Sequence, residues 1–348
     1  MIKFIKPVGQ YLDQPLLVAK FKQAVPKIFV GGATIYGMNE IRKAPEDARV
    51  NKTINTTAIM AATVGSALAA PKIASKIIGK PYEKYCVKNI INKNTNLVND
   101  FIETPVGKNV SKGVKNILNK AKDNVLGFKD IKILDTELSK TKEGTKFMKT
   151  LIPEPENITS KDIKNEIGRL SILGFIPVAG GVAGGLAGEK ITNGELEKNH
   201  TANRVKEGAY QYLANIFLCN VGAGIALAGL EAAKVKSKAA RAVGMVAGII
   251  TTGIIGGSTI ANYIGKKVIN PIFDKNIDKK EKLNSERTPE VLDICLHSDD
   301  IATIAVMSGL RWIEPTLPIL YGISGYRAGI GYRNGHKHKN KKQLDHNG

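Results

Sequence analysis

The sequence predicts an all-α, polytopic helical membrane protein of about six helices, arranged as an inverted 3+3 repeat with Gly/Ala-rich helix contacts. Three observations lead there. Residues 170–188 (LSILGFIPVAGGVAGGLAG), 209–230 and 242–265 are charge-free runs of 19, 22 and 24 residues, each about long enough to cross a hydrocarbon layer of roughly 30 Å. Helices apolar all round must be buried on every side, and a soluble domain of this size has little room for three. The charge is segregated: 51 Lys and Arg against 31 Asp and Glu, a net charge of +20, lie mainly between these runs. Finally, residues 168–188 align without gaps on 309–329, setting Pro177 on Pro318, Gly181 on Gly322, Gly184 on Gly325 and Gly188 on Gly329.

Composition narrows the class further. Cys86, Cys219 and Cys295 are odd in number and form no CxxC pair, which argues against a disulfide framework or a zinc site. The N-terminus interrupts its apolar residues with Lys3, Lys6, Pro7 and Asp13, unlike a secretory signal. The lysines are dispersed without interleaved aromatics, so nucleic acid is not expected as a partner. AGGLAGEKIT fails the phosphate-loop spacing because Glu189 follows Gly188. No HExxH, GxSxG or Rossmann fingerprint occurs, so neither an enzyme nor a cofactor is expected.

Taken in order, residues 1–23 form a basic N-terminal segment and 24–80 hold two membrane helices. The first, over 24–41, is marginal, since only the part between Lys27 and Glu40 is charge-free. The second, over 53–78, carries Ala61, Gly65 and Ala69 at four-residue spacing, a face that admits another helix closely. Residues 81–165 are a polar, lysine-rich connector. Within it, 104–128 sets Val106, Val110, Val114, Ile117, Leu118, Ala121 and Val125 at helical spacing opposite Lys108, Lys112, Lys115, Lys120 and Lys122. Such a helix lies equally well on an anionic bilayer or on a small protein core.

Residues 166–268 hold membrane helices three to five, with Lys234, Lys236, Lys238 and Arg241 crowding a turn that the positive-inside tendency places in the cytoplasm. Residues 269–300 form a second polar connector, and 301–331 a sixth helix interrupted by Arg311, Glu314, Pro315 and Pro318. Residues 332–348 are a basic tail, expected to be disordered. Its histidines, His336, His338 and His346, are read as solvated rather than as metal ligands.

Two halves of three spans each would insert with opposite orientation, leaving both termini in the cytoplasm of a cytoplasmic or cell membrane. Gly180, Gly184 and Gly188, with Gly322, Gly325 and Gly329, are expected at helix contacts and offer faces for a homo-oligomer. Pro177 and Pro318 each remove a helical hydrogen bond, and matched breaks in two halves point to a midplane site. Arg311, Glu314 and Asn220 join them as substrate-path candidates, because a charge inside a span needs a partner or water. The first functional expectation is therefore a transporter or channel-like protein. The alternative is a non-transporting scaffold or anchor, its basic connector and tail binding anionic lipid headgroups or a partner protein. Solid packing by small residues would favour the alternative.

Overall fold

The computed structural model describes residues 10–78, 86–153, 160–235, 238–273 and 311–331, and every regular element among them is helical. The helices are α1 (Pro15–Arg42), α2 (Arg49–Ile78), α3 (Val87–Glu103), α4 (Pro105–Lys108), α5 (Lys112–Ala121), α6 (Phe128–Leu138) and α7 (Lys142–Leu151). There follow α8 (Ser160–Asn193), α9 (Lys198–Tyr212), α10 (Leu218–Ala232), α11 (Lys238–Gly248), α12 (Ser258–Ile264), α13 (Asn270–Phe273) and α14 (Leu317–Ile330). The connector 269–300 lies almost wholly outside the described residues, as do 301–310 of the sixth expected span and the whole basic tail.

Among the described residues three helices, not about six, are long and apolar enough to cross a membrane: Arg49–Ile78, Asp162–Asn193 and Lys198–Ala232. α1 is long but carries charge, Val243–Thr252 in the fifth expected span is a shorter apolar helix, and α14 has 14 residues.

The chain divides into two compact units, one of Met1–Ile28, Tyr82–Ile158 and Ala305–Thr316, the other of Phe29–Pro81, Thr159–Ile304 and Leu317–Gly348. In the first, polar unit, α3 to α7 enclose a core of Val98, Phe101, Val114, Leu118, Leu126, Ile131, Leu134, Leu138, Phe147 and Leu151. Phe101 and Phe147 stack at 4.1 Å within it. Side-chain caps set the helix starts: Gly107 N–H donates to Thr104 Oγ1 (3.1 Å), Val114 N–H to Ser111 Oγ (3.3 Å) and Gly144 N–H to Thr141 Oγ1 (3.0 Å). Asp130 closes another turn by accepting from Gly127 N–H and from Lys120. The hydrogen bond from Lys120 holds its carboxyl below the ordinary range against the opposing effect of burial.

These caps break the expected amphipathic helix over 104–128 into α4, α5 and a loop. Val114, Leu118 and Ala121 are buried, and Val106, Val110 and Ile117 pack against the same core. The valine stripe faces protein, leaving no apolar face there for a bilayer. The N-terminal segment is tied to this core by the buried Gln14. Its Nε2 donates to Leu126 O (2.9 Å) and its Oε1 accepts from Leu126 N–H (2.7 Å), a paired bond like one rung of a sheet. Tyr11 adds a stack on Phe128 at 4.3 Å.

In the second, apolar unit, α8 packs on both α2 and α14, which also touch one another, and meets them through two glycine faces. Toward α2, a Cβ on Gly180 would fall 2.1 Å from Ser66 Oγ, on Gly184 2.6 Å from Ala58 O, and on Gly188 2.6 Å from Asn55 Oδ1. Toward α14, a Cβ on Gly181 would fall 1.8 Å from Gly325 O, and on Gly185 2.3 Å from Gly329 O. Gly325 and Gly329 reciprocate against Pro177 O and Gly181 O, and Gly322 seats the Phe29 ring. The two segments matched in the sequence comparison are thus packed on one another. On α2 the packing stripe is Ala58, Ala62 and Ser66; Ala61, Gly65 and Ala69 are exposed, with nothing within 4 Å of a Cβ on Gly65. Large apolar side chains point out of the unit, Ile35 at 72% exposure, Val243 at 69% and Ile77 at 64% among them.

Candidate functional site

The residues nominated as a substrate path are divided between the two units. Pro177 sits inside α8, which continues helically across it from Ser160 to Asn193. Pro318 is the second residue of α14, in the first turn, where a missing N–H breaks nothing. Neither produces a broken span. Arg311 and Glu314 lie in a 3₁₀ turn, Arg311–Thr316, which belongs to the polar unit, whereas Pro177 and Pro318 belong to the apolar one. Asn220 is buried in α10. Gly180, Gly184, Gly188, Gly322, Gly325 and Gly329, in contrast, each lie against a neighbouring helix.

A different polar cluster occupies the apolar unit, on residues that the sequence places in a hydrophilic stretch. His200, Arg204, Glu207, Gln211 and Asn215 recur at intervals of three or four, so one face of α9 and the π-turn after it carries them all. Glu207, Gln211 and Asn215 are buried.

The cluster begins at the hairpin between α8 and α9. Gly194, at φ +76°, supplies the left-handed residue that ends α8. The chain then returns so that Glu189, 2% exposed, meets the first turns of α9. Glu189 Oε1 accepts from Glu197 N–H (3.1 Å) and lies 3.1 Å from His200 Nδ1, while Oε2 pairs with Arg204. Arg204 Nε donates to Gly329 O (2.9 Å), a carbonyl in the last turn of α14 that the helix leaves without a partner. One guanidinium therefore joins α8, α9 and α14. Glycine makes the room, since a Cβ on Gly185 would stand 2.7 Å from Arg204 Nε and one on Gly331 3.1 Å from its Cγ.

One turn further, buried Glu207 lies 3.9 Å from Arg327 Nε of α14 and accepts from Gln211 Nε2 (2.8 Å), whose Oε1 accepts from Asn215 Nδ2 (3.0 Å). At 1.5 Å per residue this ladder reaches about 12 Å along the helix axis from Glu207. It ends in the π-turn Leu213–Phe217, a wide turn of the kind often found at functional positions.

Two carboxylates and two guanidiniums thus compensate one another, as burial away from water requires. Glu189, Glu197 and His200 also bring ligand atoms within 4.8 Å of one another. A cation there would compete with Arg204 for Glu189, and the arrangement is already satisfied as an ion pair. The contacts of this cluster cross-link and order α8, α9 and α14. Sequence reading missed it because Glu189 and Arg204 are 15 residues apart across a turn. The polar three-and-four spacing into the run at residue 209 was the available signal. No family model matches the chain, and neither does any curated protein or solved structure.

Proposed function

We propose that the chain is a membrane-embedded anchor, whose apolar unit holds the protein in a bilayer and whose lysine-rich polar unit presents a surface to anionic lipid or a partner. The observation that carries this reading is the closed packing of α8. At all five of its glycines from Gly180 to Gly188 that face a neighbour, a single added carbon would collide with α2, α14 or Arg204. Helices this close leave no path between them, while the exposed isoleucines and valines suit a lipid environment. Placement of both termini in the cytoplasm belongs to the same proposal only with one crossing beyond the three apolar helices, since an odd number of crossings leaves the termini on opposite sides.

Two measurements test it. Membranes holding the chain are washed with alkaline carbonate, where an embedded anchor stays with the lipid; release would overturn the reading. Purified chain in vesicles is then assayed for ion flux, and an anchor leaves the vesicles tight.

A second reading, transport or channel activity with the inverted-repeat topology, is favoured by one observation, the buried ladder Glu207–Gln211–Asn215 beside Arg327. Ionisable groups within apolar helices commonly mark ion or proton pathways. Flux abolished by Glu207→Gln would select this reading over the anchor.

A further inference from the structure

Resting on the anchor reading, we infer that the outward face of α6, formed by Phe128, Lys129, Lys132 and Ile133, is the surface by which the polar unit contacts an anionic bilayer. Helical spacing sets these four residues on one side of α6 and Ile131, Leu134 and Leu138 on the other. The latter three are buried in the core. Phe128 and Ile133 are 46% and 44% exposed, the two large apolar side chains so exposed among the described residues 86–153. Lys129 and Lys132 are exposed beside them and make no ion pair among the described residues.

The lysines nominated from the sequence are differently placed. Lys108 pairs with Glu103 (3.3 Å), Lys115 donates to Lys108 O (2.9 Å) and Lys120 pairs with Asp130 (2.7 Å). Lys112 and Lys122 make no ion pair among the described residues, but the valines beside all five face the core, so that stretch has no exposed large apolar group to insert. α6 has both parts: an aromatic and an aliphatic group for the headgroup boundary, and two uncommitted cations for lipid charge. In sequence the polar unit lies between two apolar helices, Arg49–Ile78 and Asp162–Asn193, so a bilayer that takes up those helices brings headgroups to it. The positive charge selects an anionic surface over a neutral one.

The test uses the full chain. Its single tryptophan, Trp312, is replaced by phenylalanine, and Ile133→Trp supplies a reporter in vesicles of brominated phosphatidylcholine with or without brominated phosphatidylserine. The expected result is a blue-shifted, quenched reporter only where phosphatidylserine is present, with quenching reversed by added salt. Lys129→Glu and Lys132→Glu should each lower the ratio of docked to undocked chains about fivefold or more. Phe128→Trp, which keeps the stack on Tyr11, is a second reporter in case Ile133→Trp disturbs the unit. Equal quenching in both lipids, no quenching in either, or indifference to the charge reversals would overturn the assignment, the last two pointing to an acidic protein partner or no partner. The same vesicles are washed in carbonate. Loss of the chain refutes the anchor reading, whereas retained chain with an unquenched reporter refutes only the role of α6.

Discussion

The two units of this chain solve the packing problem in opposite ways. The polar unit buries large side chains, with Phe101, Leu118, Ile131, Leu134 and Phe147 inside and lysines outside. The apolar unit brings α8 against its neighbours through glycine, alanine and serine, and turns Ile35, Ile77, Phe175 and Val243 outward. On the anchor reading, the difference follows from the solvent each unit meets. Water rewards removal of large apolar groups, so a water-facing domain puts them inside. Lipid offers no such reward, and close backbone approach with satisfied polar groups then holds helices together.

The strongest way to break the comparison is to remove Arg204. Arg204→Ala leaves Glu189 buried beside an uncapped α14, and the apolar unit should lose about 3–5 kcal/mol. Unfolding of the detergent-solubilised chain measures it, and Glu189→Gln in the same chain should recover part of the loss. Next comes Gly181→Leu, expected to cost about 3 kcal/mol or more, because backbone rather than a movable side chain stands 1.8 Å from the new carbon. Gly65→Leu on the open face of α2 should stay within about 0.5 kcal/mol. Equal effects at the two sites would mean that α8 and α14 do not meet as described.

Gln14→Ala probes the polar unit instead. It leaves the buried backbone of Leu126 unpaired and should cost about 1–3 kcal/mol, read as faster hydrogen exchange over residues 114–138. The smallest effect is at Asp130. Its carboxyl titrates lower in the folded unit than in the unfolded chain, so its contribution is complete above the ordinary value of 3.8 and is lost as pH falls through the depressed one. Asp130→Asn should remove that acid-limb dependence and cost at most about 1 kcal/mol near neutral pH.

Part of the architecture was legible because charge-free length is a direct requirement of the bilayer: the runs 170–188 and 209–230 lie in helices long and apolar enough to span, whereas 242–265 does not. The glycine spacing of 180, 184 and 188 likewise identified one contact face of α8. Other features were illegible for physical reasons. On α2 small residues occupy two adjacent stripes, and only the three-dimensional partner decides that Ala58, Ala62 and Ser66 pack while Ala61, Gly65 and Ala69 do not. The period of residues 104–128 is common to a helix on lipid and a helix on protein, and the caps at Thr104 and Ser111 were the overlooked clue. The Glu189–Arg204 cluster hid in a stretch whose average polarity resembled a loop.

The bond from Arg204 to Gly329 spans 125 residues of chain, which gives it a place in time as well as in space. A ribosome releasing this protein from its N-terminus completes the α8–α9 hairpin long before α14 emerges. Until then the Gly181 and Gly185 face of α8 stands open and the guanidinium has only Glu189. Among the described helices α14 is therefore the latch fitted last, and a chain that stops short of Leu317 would be left with a groove lined by glycine and a half-occupied arginine.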